Sequence, residues 1–142
     1  MTDTRKRPVG DALTKQELEE LSEFRYQLRR FVHFSEKIVQ AEGITPLQYM
    51  LLLHVKGFPG RDWATVGELA ERLQAAPHGT VALVSRCEAA GLVTRKPSEN
   101  DHRQVEVHLL TKGERCLTRL AALHKSEVQS FGWVFKASTN RS

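Results

Sequence analysis

The first part of the chain has the clearest hydrophobic pattern. From Lys15 to Ala41, apolar residues return at steps of three and four, the spacing that places side chains on one face of an α-helix. These apolar positions are Leu18, Leu21, Phe24, Leu28, Phe31, Phe34 and Ile38. At about 1.5 Å per residue, a helix of this length is about 40 Å long. We expect part of its apolar stripe to be covered by a partner outside its own domain.

Four short motifs mark where helices begin. Thr14, Thr45, Thr65 and Thr111 each open a Thr-x-x-Glu or Thr-x-x-Gln tetrapeptide. In such a capping box the threonine hydroxyl accepts a hydrogen bond from the main-chain N–H three residues later, and the Glu or Gln side chain accepts one from the threonine N–H. Each motif precedes an apolar run, and Pro46 suits the first position of a helix. We therefore predict helix starts at all four threonines.

The rest of the pattern predicts four more helices and two strands. The helices are Pro46–Lys56, Val66–Leu73, Pro77–Ala90 and one that begins at Thr111, and the strands are Leu92–Lys96 and Val105–Leu110. The first of these helices is apolar on most sides, so we expect it to be buried. In the Pro77–Ala90 helix, Val81, Val84 and Cys87 follow at steps of three and are expected to face inward.

The order of these elements is informative. Two short helices joined by a tight turn are followed at once by a hairpin whose loop reads RKPSENDHRQ. A solvated tip is one interpretation of so polar a loop. Its position directly after a helix-turn-helix favours another, a wing that contacts DNA while the second helix lies in the major groove. The sequence thus predicts a mainly α-helical fold with a small β-hairpin wing.

Composition and charge fit a soluble domain and add little about a partner. The chain has 142 residues, 40% hydrophobic and 27% charged, which is ordinary for a globular protein and favours a single domain. Lys and Arg number 21 against 17 Asp and Glu, a formal net charge of +4 that is weak evidence for a polyanionic partner. No apolar stretch approaches the roughly 18 residues that span a membrane. We expect a soluble, cytoplasmic protein.

The cysteines and histidines are the candidates for reactive or metal-binding groups. Cys87 and Cys116 lie far apart without a CxxC motif. Cys87 is either a redox switch in the fourth helix or a small core residue, and the second is favoured. The motifs at His33-x-x-Glu36 and His124-x-x-Glu127 place two metal ligands on one helix face, but no tight cluster supports a metal site. We predict no metal and no cofactor.

No enzyme motif is present in the sequence. It lacks GxSxG, HExxH and a glycine-rich phosphate-binding loop. We therefore expect no enzymatic activity.

Several stretches carry a family resemblance. They are ITPLQYMLLLHV, TVGELAERL, VALVSRCEAAGLVTRKPSENDHRQVEVHLLTKGE and the His124–Glu127 segment, and the run from Gly91 to Gly113 is the most specific. Here the sequence resembles the MarR family of winged helix-turn-helix transcriptional regulators. The resemblance implies a single chain, 1–142, with dimerisation helices at 14–44 and 111–136 and a winged helix-turn-helix at 45–110. It further implies a homodimer on double-stranded operator DNA, with repression as the usual outcome, often relieved by a small-molecule effector.

The resemblance also implies which residues contact DNA. They are His78, Gly79, Thr80, Ala82, Ser85 and Arg86 on the fourth helix, and Arg95, Lys96, Asp101, His102 and Arg103 in the wing. Arg103 is expected to enter a minor groove, Asp101 to brace an arginine, and Arg95 and Lys96 to contact phosphate. Gly79 removes one base-reading side chain, and Ala82 can only touch a thymine methyl group.

Two questions stay open from the sequence. Phe31, Phe34, Tyr49 and Leu53 either line a ligand cleft or belong to an ordinary core. The main alternative to a regulator is a winged-helix module that binds protein and has lost DNA binding, which only Gly79 and Ala82 support. A thiol- or metal-gated sensor would be a variant of the regulator.

Overall fold

The computed structural model describes residues 12–130 and is mainly helical, with one small antiparallel sheet, as predicted. The elements are α1 (Lys15–Ala41), α2 (Pro46–Lys56), β1 (Trp63–Thr65), α3 (Val66–Leu73), α4 (Pro77–Ala89), β2 (Val93–Pro97), β3 (Val105–Leu109) and α5 (Thr111–Ser130). The predicted bounds of the helices up to α4 and of the two wing strands agree to within one residue. Positions 131–136 of the predicted C-terminal dimerisation helix lie outside the described residues. No helix within residues 12–130 combines the length and hydropathy needed to cross a membrane.

The chain divides into two compact units. One contains most of α1, up to Phe34, and the end of α5 from Glu127. The other runs from Ser35 to Ser126 and contains the whole helix-turn-helix and the sheet.

Three of the four predicted capping boxes are present. At Thr14 the main-chain N–H donates to Glu17 Oε1 at 2.8 Å, and the Glu17 N–H donates to Thr14 Oγ1 at 3.1 Å. Thr45 and Thr65 cap α2 and α3 in the same way. At Thr111 the predicted capping box is not formed, although α5 begins at Thr111 as predicted. The Glu114 N–H donates to the Leu110 carbonyl at 2.9 Å, so the helix begins with Thr111 already inside it.

The core of residues 35–126 collects apolar side chains from α1, α2, α3, α4, the sheet and α5. Those with the least exposure include Val39, Leu51, Leu52, Val55, Leu69, Val84, Leu92, Val93, Val107 and Leu120. Their burial, at about 25 cal/mol per Å² of apolar surface, supplies the main stabilising contribution to this unit.

The burial of α2 differs from the prediction. Leu51, Leu52 and Val55 are fully buried, but Leu47 is 56% exposed, and Met50 and Leu53 lie at the surface as well. The exposed residues are spaced by three, so they form one face of the helix. One side of α2 therefore packs in the core, and the opposite side is an apolar face that is exposed to solvent.

The N-terminal part of α1 keeps an exposed apolar stripe. Leu18 is 49% exposed and Leu21 is 53% exposed, and Phe24 and Leu28 are also at the surface. Contiguous apolar surface of this kind is uncommon in a monomer unless it forms an interface.

The sheet contains a strand that was not predicted. Its order is β1-β3-β2, and β1 pairs antiparallel with β3 through Trp63–His108, Ala64–Val107 and Thr65–Glu106. With three residues, β1 is too short to show an alternation in sequence. It fixes the start of α3 to the wing, because Thr65 is both the last residue of β1 and the cap of α3.

The joint between the wing and α5 explains the Leu-Thr-x-x-Gly motif. The Leu110 N–H donates to the Leu92 carbonyl at 2.9 Å. A Cβ atom at Gly113 would overlap that same carbonyl oxygen, so only glycine fits at this position. Gly91, just before β2, has φ +77°, the left-handed conformation that ends α4.

Candidate nucleic-acid interface

A short turn sets α4 against α3. Gln74 has φ 54° and ψ 45°, a left-handed conformation that is uncommon for a residue other than glycine. The Ala75 N–H donates to the Ala70 carbonyl at 2.9 Å, which closes the end of α3. Pro77 then begins α4, whose preceding residue, Ala76, makes no side-chain cap. The first turn of α4 therefore presents main-chain N–H groups at the surface.

One face of α4 is exposed along its whole length. Leu83, Val84 and Cys87 are buried against the core. The opposite face, called here the exposed face of α4, carries the predicted contact residues His78, Gly79, Ala82, Ser85 and Arg86. A helix of 13 residues whose exposed face carries mostly small or polar side chains fits a DNA major groove.

Two predictions on α4 are wrong. Thr80 is only 1% exposed, and its hydroxyl donates to the Ala76 carbonyl at 3.0 Å, so its side chain points to the core and not to a ligand. The hydrogen bond within its own first turn is what allows a hydroxyl to be buried there. Val81, expected to face inward, is 45% exposed. Because Thr80, Leu83, Val84 and Cys87 fill the inner face at the helical period of about 3.6, Val81 falls outside it.

Asp101 and Arg103 are paired at the wing tip. The Asp101 carboxylate accepts hydrogen bonds from the Arg103 main-chain N–H, Nε and Nη2, at 3.0, 3.1 and 3.2 Å. The predicted bracing of an arginine by Asp101 is therefore present. These bonds, first of all those from the side chain, hold the pKa of the Asp101 carboxyl below its ordinary value. The Arg103 side chain stays 90% exposed and projects from the tip.

The loop that carries this pair is closed by main-chain contacts. The Ser98 N–H donates to the Gln104 carbonyl at 3.1 Å, and the Gln104 N–H donates to the Asp101 carbonyl at 2.9 Å. Ser98 is 5% exposed, whereas His102 is exposed at the tip. The tip thus has a defined backbone that presents His102 and Arg103 outward.

Arg95 and Lys96 occupy opposite faces of β2. Lys96 is exposed and lies across from Glu106 in the sheet. Arg95 lies across from the buried Val107 and turns toward α4, where it contacts Val81, Ser85 and Glu88. The sequence predicted a phosphate contact for both residues. Among the described residues, the Arg95 side chain is engaged with α4, whereas the Lys96 side chain makes no contact with α4 and is exposed.

A network missed from the sequence holds the segment before β1. The Arg61 guanidinium lies 4.3 Å from the centre of the Phe58 ring and 4.0 Å from that of Trp63, and it pairs with the Glu68 carboxylate. Glu68 also completes the cap at Thr65. Arginine stacked on aromatic rings and paired with a carboxylate fixes this segment on α3. The only signal in the sequence was the spacing of Phe58, Arg61 and Trp63.

The cysteines lie in the core. Cys87 is 0% exposed, and burial raises its pKa to about 11. Cys116 is 3% exposed, and burial raises its pKa as well. A buried thiol with a raised pKa holds little thiolate and is a poor nucleophile. These observations favour the core interpretation of Cys87 over the redox switch.

The histidine motifs do not come together as a metal site. Within residues 12–130, no three His, Cys, Asp or Glu side chains are placed to share a metal ion. His124 is 5% exposed, its Nδ1 lies 2.7 Å from the Leu120 carbonyl oxygen, and its Nε2 lies 2.8 Å from Ser35 Oγ. Its ring stacks on Tyr49 with the centroids 4.8 Å apart. His124 is therefore a packed residue of the core of residues 35–126.

The four predicted ligand-binding residues fall in different settings. Tyr49 is 5% exposed in the core, and Leu53 lies on the exposed face of α2. Phe31 and Phe34 are half-buried on the part of α1 that belongs to the other unit. An open cavity of about 460 Å³ is lined by Phe58, Glu68, Glu71, Arg72 and Gln74, none of which was predicted.

Comparisons with known proteins agree with this architecture. Residues 42–104 match the model of the MarR family. A protein of Thauera aromatica named as a putative transcriptional regulatory protein for its hcr operon is 28% identical over 107 residues, which cover 75% of this chain and 63% of that protein. This chain thus spans less than two thirds of that relative's length.

Solved structures share the fold. A MarR family protein from Bacillus stearothermophilus is 26% identical, with 92% of this chain and 95% of that chain covered and a TM-score of 0.73. A cysteine-to-serine mutant of MarR from E. coli, solved in complex with operator DNA, is 20% identical, with 81% and 89% covered and a TM-score of 0.62. In its helix-turn-helix and wing, and over residues 42–104 that match the family model, this chain is similar to the MarR family of transcriptional regulators.

Proposed function

We propose that this protein is a sequence-specific DNA-binding regulator that acts as a homodimer on a pseudo-palindromic operator. The observation that carries the proposal is the combination of the exposed face of α4 with Arg103, which Asp101 holds at the wing tip. The fold shared with the E. coli MarR mutant bound to operator DNA supports the same mode of docking.

In this proposal each contact residue has a separate task. His78 and Arg86 donate to base edges or phosphate from α4, and Ala82 packs against a thymine methyl group. Gly79 lets the main chain approach the DNA closely. In the wing, Lys96 neutralises phosphate, and Arg103 enters the minor groove, where A·T-rich DNA has the most negative potential.

The homodimer is proposed from the exposed apolar stripe of α1. Leu18, Leu21, Phe24 and Leu28 recur at helical spacing and keep 37% to 53% of their surface exposed. Burial of this stripe against the identical stripe of a second copy would remove apolar surface from water and stabilise a two-fold dimer. Two-fold symmetry would in turn place two α4 helices about 34 Å apart, one turn of DNA.

We propose repression as the outcome, with release by a small molecule. Within residues 35–126, the support for a ligand is the exposed apolar face of α2, formed by Leu47, Met50 and Leu53. Small-molecule sites are lined mostly by apolar side chains, and this face would supply such a lining where a second surface covers it.

A protein-binding winged helix is the second candidate. The exposed face of α4 offers few hydrogen-bonding side chains near its start, since Gly79 and Ala82 have none and Val81 is exposed beside them. A partly apolar helix face also suits a protein partner. Retention of Arg86, Lys96 and Arg103 on exposed positions favours DNA.

The experiment that tests the proposal is selection of the purified protein on a pool of random duplex DNA, followed by titration of the selected sequences against salt. We expect an inverted repeat and an affinity that falls steeply with salt. No enriched sequence and weak, salt-insensitive binding would overturn DNA recognition and favour the protein-binding module.

A further inference from the structure

Arg95 runs along one edge of α4 and bonds to it at three successive turns. Its Nη2 donates to the Val81 carbonyl at 3.3 Å and to the Ser85 hydroxyl. Its Nη1 lies 3.8 Å from Glu88 Oε1, and its main-chain N–H donates to Glu88 Oε2 at 3.3 Å. Val81, Ser85 and Glu88 are spaced by four and three, so they form one line on the helix surface.

The strand register explains why Arg95 points this way. Arg95 pairs with Val107, which is fully buried, so both side chains leave the sheet on the side that faces the core. Lys96, the next residue, pairs with Glu106 and leaves on the other side. Arg95 and Lys96 are neighbours in β2, so the Arg95 side chain faces α4 and the Lys96 side chain points away from it.

In these contacts the N–H donors of Arg95 are used in hydrogen bonds to α4, and its charge is paired with a carboxylate. The Glu88 carboxylate balances the guanidinium, and the Arg95 side chain is 32% exposed. By contrast, the Arg103 side chain is 90% exposed. Lysine has a single ammonium group and would reach one of these acceptors, whereas the planar guanidinium reaches several at once.

We propose that Arg95 is a positioning residue that fixes the wing on the edge of α4, and that it is not a phosphate contact. This inference rests on the proposed function, because DNA binding needs Arg103 and the exposed face of α4 in a constant relation. Contacts that fix a geometry raise affinity by lowering the conformational freedom that binding would otherwise remove.

The two roles of Arg95 give opposite results in DNA binding. If Arg95 is a positioning residue, Arg95→Lys and Arg95→Gln weaken binding to the selected operator by a similar factor, at least about tenfold, and leave the salt slope unchanged. Glu88→Gln adds little in the Arg95→Gln background, because the two side chains act as a pair. Lys96→Gln is the matched control and lowers the salt slope by about 1.

A phosphate contact predicts otherwise. In that case Arg95→Lys keeps the affinity within about twofold, and Arg95→Gln lowers the salt slope by about 1. That pair of results would overturn the proposal. Circular dichroism and thermal unfolding of each variant separate a loss of fold from a loss of position, and Glu88→Gln provides a milder variant if Arg95→Gln does not fold.

A measurement without DNA separates this inference from the proposed function. Both native cysteines are buried, at 0% and 3% exposure, so a nitroxide label can be placed selectively on His102→Cys at the wing tip. We expect the label to be more mobile in Arg95→Gln than in wild type, and as mobile in Lys96→Gln as in wild type. Glu88→Gln takes the place of Arg95→Gln if the latter does not fold. Equal mobility in wild type and in the Arg95 or Glu88 variant would overturn the positioning role. If wild type bound no DNA but the label responded as expected, the proposed function would fail while the positioning role stood.

Discussion

Asp101 accepts three hydrogen bonds from Arg103 within one turn of the wing, at 3.0, 3.1 and 3.2 Å. A long, exposed side chain would otherwise sample many rotamers, and ordering it on binding costs conformational entropy. The pair therefore presents a cation in a fixed direction before any DNA is bound.

The first prediction concerns this pair. Arg103→Ala should weaken binding to an A·T-flanked operator by about 1–3 kcal/mol. Asp101→Asn should weaken it less, and the double variant should lose no more than Arg103→Ala, because Asp101 acts through Arg103. Titration of labelled operator by fluorescence anisotropy measures all three. Additive losses would show that Asp101 acts independently.

The first prediction extends to the effect of pH on this pair. The pKa of Asp101 lies below its ordinary value of 3.8, so the bonds to Arg103 are complete above that value and are lost as the pH falls through the lowered pKa. Between about pH 5 and 8 the carboxylate stays ionised, and the order of the tip should not change. Chemical shifts of the Arg103 Nε–H group across this range would check the expectation. A transition near neutral pH would contradict it.

A second prediction follows from Ala82 at the centre of the exposed face of α4. If Ala82 packs on a thymine methyl group, replacing that thymine by uracil removes one buried methyl and should cost about 0.8 kcal/mol, roughly fourfold in Kd. Thymines in the selected operator can be replaced one at a time. The sensitive position should become insensitive in Ala82→Gly. Equal sensitivity in wild type and Ala82→Gly would assign the methyl contact to another residue.

The third prediction concerns the thiols. With a pKa of about 11, about one part in a thousand of Cys87 is thiolate at pH 8, and the residue has no exposed surface. Ellman's reagent should therefore react with neither Cys87 nor Cys116 in the folded protein, and with both in denaturant. DNA affinity should be the same before and after mild peroxide treatment. Loss of affinity that Cys87→Ser prevents would restore the redox switch.

The fourth prediction uses two glycines with different surroundings. Gly113→Ala places a methyl group on the Leu92 carbonyl and should lower the free energy of unfolding by about 2–3 kcal/mol. Gly67 lies in α3 with open space where a Cβ would be added, so Gly67→Ala should raise the free energy of unfolding by about 0.5–1 kcal/mol. Urea unfolding of both variants gives the two values. Equal effects would mean that the contact with Leu92 relaxes freely.

The fifth prediction tests the dimer. Leu21 is 53% exposed on the apolar stripe of α1, and Leu21→Glu would bury a charge in the proposed interface. The dimer dissociation constant should rise by roughly a hundredfold or more, because an unpaired buried charge costs several kcal/mol. Ser22→Glu adds the same charge away from the stripe and is the control. Sedimentation equilibrium measures both, and an unaltered dimer in Leu21→Glu would place the interface elsewhere.

Much of the fold could be predicted from local patterns. The bounds of α1 and α2 followed from helical periodicity and from the capping boxes at Thr14 and Thr45, which depend only on neighbouring residues. The wing strands followed from the alternation at Val105, Val107 and Leu109. Such features are encoded within a few residues of where they act.

The features that were missed depend on contacts between distant segments. β1 exists because Trp63–Thr65 pairs with β3, more than forty positions later in the chain. Thr80 is the exception, because its hydroxyl donates to the Ala76 carbonyl only four residues earlier, and this hydrogen bond allows a burial that hydropathy alone does not indicate. Arg95 and Lys96 look equivalent in sequence, and only the register with β3 shows that one turns toward α4 and the other away.

The absence of room for a methyl group at Gly113 has a mechanical consequence. The first turn of α5 lies directly on the residue that precedes β2, and the Leu110 N–H is bonded to the same carbonyl. The start of α5 and the base of the wing are therefore in direct van der Waals contact and share a hydrogen bond. We expect a tilt of the start of α5 to be passed on to the base of the wing. The angle at which the hairpin leaves the protein is thus set from its base by a helix that is separate from α4.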